Sequence, residues 1–173
     1  MLSNFHHVAF RCRDAAETTR FYTEVLGLKF SHAIVNDIVG STKEFSPHIH
    51  IFFELKDGSS IAFFEVPLSA PAQKDPNTPE WVQHIAFQVG SMEELQDYQR
   101  RLDEHHIQYL GPVGHYEKQF SIYFFDPNGL RLEFNLPAPS DPEERARGAI
   151  QVLKEWERRK ARGWELLPQH SAV

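Results

Sequence analysis

Two histidines and two glutamates stand at matched places along this 173-residue chain. His7 opens the run His7-Val8-Ala9-Phe10 and His84 opens His84-Ile85-Ala86-Phe87, at an offset of 77. Glu65 and Glu133 each sit in an apolar run that soon meets a proline, Pro67 and Pro137. Imidazole and carboxylate without thiolate form a donor set for a divalent ion: Fe(II), Mn(II), Ni(II), Co(II) or Zn(II). Strand alternation groups His7 with Ala9 and Arg11, and His84 with Ala86 and Gln88. It groups Glu65 with Ile61 and Phe63, and Glu133 with Arg131 and Asn135. The alanines beside each histidine leave space for a ligand. If the two halves pair about a pseudo-twofold axis, the four side chains converge on one metal ion. Two buried carboxylates without a cation would be costly. His6 falls on the opposite face and reads as structural or exposed.

The elements that must position these groups also repeat. Each half opens with a β-type run and then a helix start, Asp14 with Glu17 and Ser91 with Glu94, at capping-box spacing. Ile51–Leu55, Asp57-Gly58 and Ser59–Val66 predict a hairpin, and Ser121–Phe125, Asp126-Pro127-Asn128-Gly129 and Leu130–Leu136 its counterpart. The fold class is α+β: tandem βαβββ modules forming one curved mixed sheet around a metal site, plus a C-terminal helix. Repeat one spans 4–67, a proline-punctuated linker 68–80 and repeat two 81–137, together one domain over 1–137. A helical extension covers 138–173, opened by Asp141-Pro142-Glu143. Its stripe of Ile150, Leu153 and Trp156, with Trp164 beyond, suits packing on its own domain or a contact in a homodimer. If Asp57-Gly58 is a two-residue turn, His50 lies opposite Glu65 and becomes an acid–base candidate.

Composition excludes several classes of function. With 41% hydrophobic and 13% aromatic residues, the chain has the makings of a globular domain rather than a disordered one. Apolar runs such as Ile61–Phe64 are far too short to span a membrane. The start MLSNFHHVAF lacks the pattern of a secretory signal. Cys12 stands alone, so a cytoplasmic location is the expectation. A net charge of −6 argues against nucleic acid as a partner.

With these residues in place, the chain resembles the vicinal oxygen chelate superfamily. That superfamily includes glyoxalase I, methylmalonyl-CoA epimerase, fosfomycin-resistance proteins and extradiol dioxygenases. The resemblance runs over roughly residues 4 to 137, through Phe21-Tyr22-Thr23-Glu24-Val25-Leu26-Gly27-Leu28 and the Asp126–Gly129 hairpin. It implies His7, His84 and Glu133 as metal ligands, with Glu65 matching a fourth ligand of glyoxalase-like members. One segment is more discriminating. Val113-Gly114-His115, Ile122-Tyr123, Asp126-Pro127-Asn128-Gly129 and Glu133 fit the extradiol signature, which implies that His115 and Tyr123 line the substrate pocket and assist the chemistry. The chain also departs from that family. Ser59 or Ser60 holds the place of its acid–base histidine, and Glu65 stands where it has an apolar or small residue.

Counting coordination sites separates the reactions. Three protein ligands on an octahedral ion leave room for a chelated diol and O2. A fourth from Glu65 leaves two positions, enough for two vicinal oxygens and proton transfer beside a carbonyl. The reading favours an extradiol-type dioxygenase using Fe(II) on a small, aromatic diol. The alternatives are a glyoxalase- or epimerase-like isomerase or lyase and a non-catalytic, ligand-sequestering protein. Phe52, Phe53, Phe63, Phe64, Phe124 and Phe125 fall near the proposed site, and their inward members suit an aromatic substrate.

Overall fold

Each repeat folds as a βαβββ module whose strand–helix boundaries follow from capping chemistry. The computed structural model describes residues 4–73, 75–115 and 118–162. The first module runs β1 (His7–Cys12), α1 (Ala15–Arg20), a π-helical turn (Phe21–Val25), β2 (Lys29–Ile38), β3 (Phe45–Glu54) and β4 (Ser60–Glu65). The second runs β5 (Ile85–Gln88), α2 (Met92–Glu104), β6 (Tyr109–Gly114), β7 (Phe120–Phe125) and β8 (Arg131–Leu136). The Asp14 carboxylate accepts the Glu17 amide at 2.6 Å, and the Ser91 hydroxyl accepts the Glu94 amide at 3.1 Å. Both satisfy donors that the first helical turn leaves orphaned. Gly27, at φ +69°, ends the first helix in the left-handed region that glycine adopts without a Cβ clash.

The tandem architecture expected from the repeats is built as two mixed four-stranded sheets, ordered β1-β4-β3-β2 and β5-β8-β7-β6. β1 runs parallel to β4 and β5 parallel to β8, while the hairpins are antiparallel. Strands β1 and β5 are therefore edges of their sheets. The β3–β4 hairpin departs from the expected register. The Leu55 amide bonds the Ser59 carbonyl at 2.8 Å, which closes a three-residue loop with Gly58 at φ +84°. Such a loop shifts the pairing by one residue relative to a two-residue turn. His50 therefore faces Phe64, and Glu65 faces Ile49.

A continuous apolar core draws on both modules. Tyr22, Phe53 and Phe63 from the first and Leu95, Leu102 and Phe124 from the second are fully buried within one cluster. Each such side chain contributes about 1.5–3 kcal/mol of transfer free energy. A polar pin joins the modules at its margin. The buried Tyr22 hydroxyl donates to Asp126 Oδ2 at 3.2 Å, and Asn128 Nδ2 donates to the Thr18 hydroxyl at 3.2 Å. Asp126 Oδ1 also accepts the amides of Asn128 and Leu130, both at 2.8 Å, so one carboxylate shapes the hairpin turn and anchors it to the first module. Burial pushes the Asp126 carboxyl above its ordinary range and the Tyr22 phenol well above its own. The Arg11 guanidinium secures the start of the linker through the carbonyls of Val66, Ser69 and Ala70.

The chain divides into compact units at the Pro137–Ala138 junction. The second unit carries α3 (Pro142–Arg162), started by the Asp141 carboxylate on the Glu143 amide at 2.9 Å. Ile150, Leu153 and Trp156 on it are exposed. Trp164 lies outside the described residues. Among the described residues no helix is long and apolar enough to cross a membrane.

Removing the pin tests its weight. Asp126→Ala leaves two turn amides and a buried phenol without an acceptor and should cost about 2–3 kcal/mol in urea unfolding. Tyr22→Phe removes one bond and should cost about 1 kcal/mol in the same measurement.

Candidate metal and substrate site

The second module builds a carboxylate–imidazole pair into one sheet face. In the β5–β8 register Ala86 lies beside Glu133 and Gln88 beside Asn135, while β7 places Tyr123 beside Glu133 and Ser121 beside Asn135. All these side chains emerge on one face, as the parity reading expected for Glu133. Glu133 is only 5% exposed. Its Oε1 accepts the Ser121 hydroxyl at 2.6 Å and the Asn135 amide at 2.9 Å. Its Oε2 meets His84 Nε2 at 3.0 Å. Two neutral donors and an imidazole satisfy this deep carboxylate, and among the described residues no lysine or arginine pairs with it, which leaves its charge open to a cation. The donor set and the oriented carboxylate fit a divalent cation at the His84–Glu133 pair.

Beside the pair, His115 Nε2 and the Tyr123 hydroxyl share a hydrogen bond of 2.9 Å, and the rings of His84 and Tyr123 meet edge-on at 6.1 Å. The Arg131 guanidinium lies 4.4 Å from the centre of the Tyr123 ring. His115 and Tyr123, distant in the β6–β7 hairpin, are thus brought together next to Glu133.

The first module presents a different face. His7, Ala9 and Arg11 pair with Ser60, Ala62 and Phe64, and this side also carries His50 and Phe52. His7 Nδ1 lies 2.8 Å from His6 Nδ1, which orients the ring and leaves Nε2 without a hydrogen bond among the described residues. The His50 ring sits 5.8 Å from that of His7 and stacks on Phe64 at 3.6 Å. Burial, together with His7, His32 and His48, pushes the His50 imidazole down to about 4, so it is neutral at neutral pH. Its Nε2 is buried and, among the described residues, has no hydrogen-bond partner.

Glu65 does not share the His7 face. It pairs with Cys12, which is buried, and its Oε2 accepts the Ala15 amide at 2.7 Å, at the start of α1. Parity placed Glu65 correctly with Ile61 and Phe63, but those residues are core, so their face is the helix side. The repeat match on a glutamate before a proline misaligned the strands. Ala86 pairs with Glu133, whereas its counterpart Ala9 pairs with Ala62. Ala62, not Glu65, occupies the place equivalent to Glu133. The His50–Glu65 pairing fails for the register reason given above. Among the described residues no three His, Cys, Asp or Glu side chains come together to hold a metal ion. His84 and Glu133 meet, and His7 stands apart in the other module.

Comparison with known proteins agrees with the fold. The Glyoxalase/Bleomycin resistance protein/Dioxygenase superfamily matches residues 4–134. The chain belongs to this superfamily. It is 27% identical over 134 residues to the Bacillus subtilis protein named "Putative ring-cleaving dioxygenase MhqA", covering 76% of this chain but only 39% of that one. It is 25% identical over 153 residues to a 2-epi-5-epi-valiolone epimerase from an Actinomyces species, covering 80% of this chain and 82% of the relative. Among solved structures, a Frankia glyoxalase/bleomycin resistance protein/dioxygenase domain superposes with a TM-score of 0.63 at 24% identity, over 80% of this chain and all of that one. The Listeria monocytogenes fosfomycin resistance protein FosX, solved with Mn(II) and a dihydroxypropylphosphonic acid, gives 0.58 at 23%, over 84% of this chain and 99% of its own. These likenesses show the fold; the superfamily unites binding proteins with enzymes of several reactions.

Three residues of the site escaped the sequence reading. Ser121 and Asn135 were legible as same-face neighbours of Glu133, Asn135 two residues on and Ser121 across the hairpin. His6 was discounted on strand parity, yet it precedes β1 and turns back onto His7. Because such partners fix ligand orientation, Ser121→Ala and Asn135→Leu should each weaken Mn(II) binding about tenfold in calorimetric titration, with the circular dichroism spectrum unchanged.

Proposed function

We propose that this superfamily member is a metal-dependent extradiol-type dioxygenase that cleaves a small aromatic diol, with His7, His84 and Glu133 as ligands. The observation that carries this reading is the engagement of Glu65 by the Ala15 amide on the helix side. It leaves three protein ligands, and three ligands leave room for both oxygens of a diol and for O2. When bound, Fe(II) supplies Lewis-acid anchoring of the diol and redox access to O2. The remaining roles belong to the chain. Tyr123 Oη and His115 Nε2 are hydrogen-bonded to each other, which supports a role for the pair in taking the proton that a diol hydroxyl gives up. The neutral His50, unpartnered at Nε2, is the acid–base candidate on the His7 side. Phe52 and Phe64 on that face suit a planar ring. The lone buried thiol Cys12, pushed up to about 11 by burial, is inert and agrees with a reducing cytoplasm.

Two copies of the chain complete the site. His7 lies on the edge strand β1 and His84 immediately before the edge strand β5. Apolar residues flank both edges: Phe5 and Val8 at the first, Trp81 and Val82 at the second, all exposed. A homodimer that sets β1 of one protomer beside β5 of its partner buries these residues and brings His7 to the partner's pair. The similarity to the epimerase over most of its length supports a second reading, an isomerase or lyase on the same ligands.

Oxygen consumption separates the two. The Fe(II)-loaded protein should take up O2 with catechols, and Tyr123→Phe or His115→Ala should lower kcat by about 10²-fold or more. Absence of uptake across a catechol panel leaves the isomerase reading in front. Glu65→Gln should retain parent metal affinity and cost about 1 kcal/mol of stability through the weakened helix cap. A Glu65→Gln variant that no longer binds metal refutes the three-ligand site. Refolding His7→Ala with His84→Ala should restore about a quarter of parent activity. Half of the dimers are then mixed, and each mixed dimer has one intact site.

A further inference from the structure

A cavity of about 340 Å³ opens where the end of β1, the linker and the β7–β8 turn meet, lined by Arg11, Thr78, Gln83, Phe125 and Arg131. Arg131 belongs both to this cavity and to the metal-site face. It pairs with Phe125 across the hairpin, lies two residues before Glu133 on β8, and holds its guanidinium over the Tyr123 ring, 4.4 Å from the ring centre. A cation–ring contact needs none of the guanidinium N–H groups, so their edge can still donate to other partners. Among the described residues no hydrogen bond or ion pair engages that edge. The other charges on the cavity are spoken for or of the opposite kind. Arg11 is spent on the carbonyls of Val66, Ser69 and Ala70, and the Asp75 carboxylate accepts the Thr78 hydroxyl and the Asn77 amide. Glu80 also lines the cavity and disfavours an anion on its own side.

Resting on the proposed diol reading, we infer that Arg131 is a specificity residue that holds an anionic substituent of the substrate, a carboxylate above all. The geometry is linear. A two-residue step along β8 spans about 6.6 Å, comparable to the reach from the vicinal oxygens of a ring diol to a substituent at the far end of the ring. A diol seated at the His84–Glu133 pair, with Tyr123 beside it, therefore directs that substituent along β8 to the guanidinium. The planar fork of arginine accepts a carboxylate through two parallel N–H bonds, which a lysine cannot reproduce. The contact with the Tyr123 ring ties the substituent to the chemistry, because the same ring carries the hydroxyl bonded to His115.

The test is anaerobic calorimetric titration of the Mn(II)-loaded protein with catechol, 3,4-dihydroxybenzoate and benzoate. The parent should bind 3,4-dihydroxybenzoate about 10- to 100-fold more tightly than catechol, the range of a charge-assisted pair. That preference should shrink as ionic strength rises. It should vanish in Arg131→Met and survive in part in Arg131→Lys, both checked for folding by circular dichroism. Equal binding of the two diols by the parent, or an undiminished preference in a folded Arg131→Met, overturns the inference. Oxygen uptake with catechol then still upholds the ring-cleavage reading. If no diol is cleaved, yet benzoate binds the parent and not Arg131→Met, the anion subsite stands and ring cleavage falls. If neither dihydroxybenzoate nor benzoate binds the parent, Arg131 holds no anion and the inference is refuted.

Discussion

A carboxylate drawn out of water, wholly at Glu133 and in part at Glu65, needs donors or a cation, and the chain meets that need differently in its two modules. In the first, Glu65 lies on the core side and is satisfied by the amide that opens α1. In the second, Glu133 lies on the opposite side, where two neutral donors hold one oxygen and an imidazole meets the other. The first arrangement closes a structural contact. The second keeps one oxygen directed at a histidine, which is the position from which a metal ion can be held. On the proposed reading, the number of positions left open on a bound ion follows from this asymmetry.

The parallel registers create the asymmetry. Ala62 stands beside Ala9 where Glu133 stands beside Ala86. The first module thus brings a small residue and a set of histidines and phenylalanines to its ligand face. The second brings the carboxylate, the His115–Tyr123 pair and Arg131. On the proposed reading, the first module meets the ring of the substrate and the second supplies charge and protons.

The join between modules is equally consequential. Tyr22, Asp126, Thr18 and Asn128 tie the first helix to the last hairpin, and the apolar core continues past them. This packing spends the core sides on each other and leaves β1 and β5 as sheet edges. Unpaired edges flanked by exposed Phe5, Val8, Trp81 and Val82 are a liability for a lone chain and an asset for a symmetric dimer.

Much of this was legible in the sequence. The 77-residue repeat announced two modules, because helix caps and hairpin turns are local chemistry written in neighbouring residues. The parity of His84 and Glu133, and the resemblance carried by His115 and Tyr123, named residues that the structure brings together in the second module. Three points were decided only by tertiary structure. The side of β4 that faces the core cannot be read from Ile61-Ala62-Phe63-Phe64, since both alternating faces are apolar, and only packing beneath α1 chose between them. The register of the β3–β4 hairpin depended on whether Gly58 closed a loop of two residues or three, and one residue of slip moved His50 from Glu65 to Phe64. The separation of His7 from the His84–Glu133 pair depended on how two folded modules pack, which is a property of whole surfaces. No local spacing encodes it.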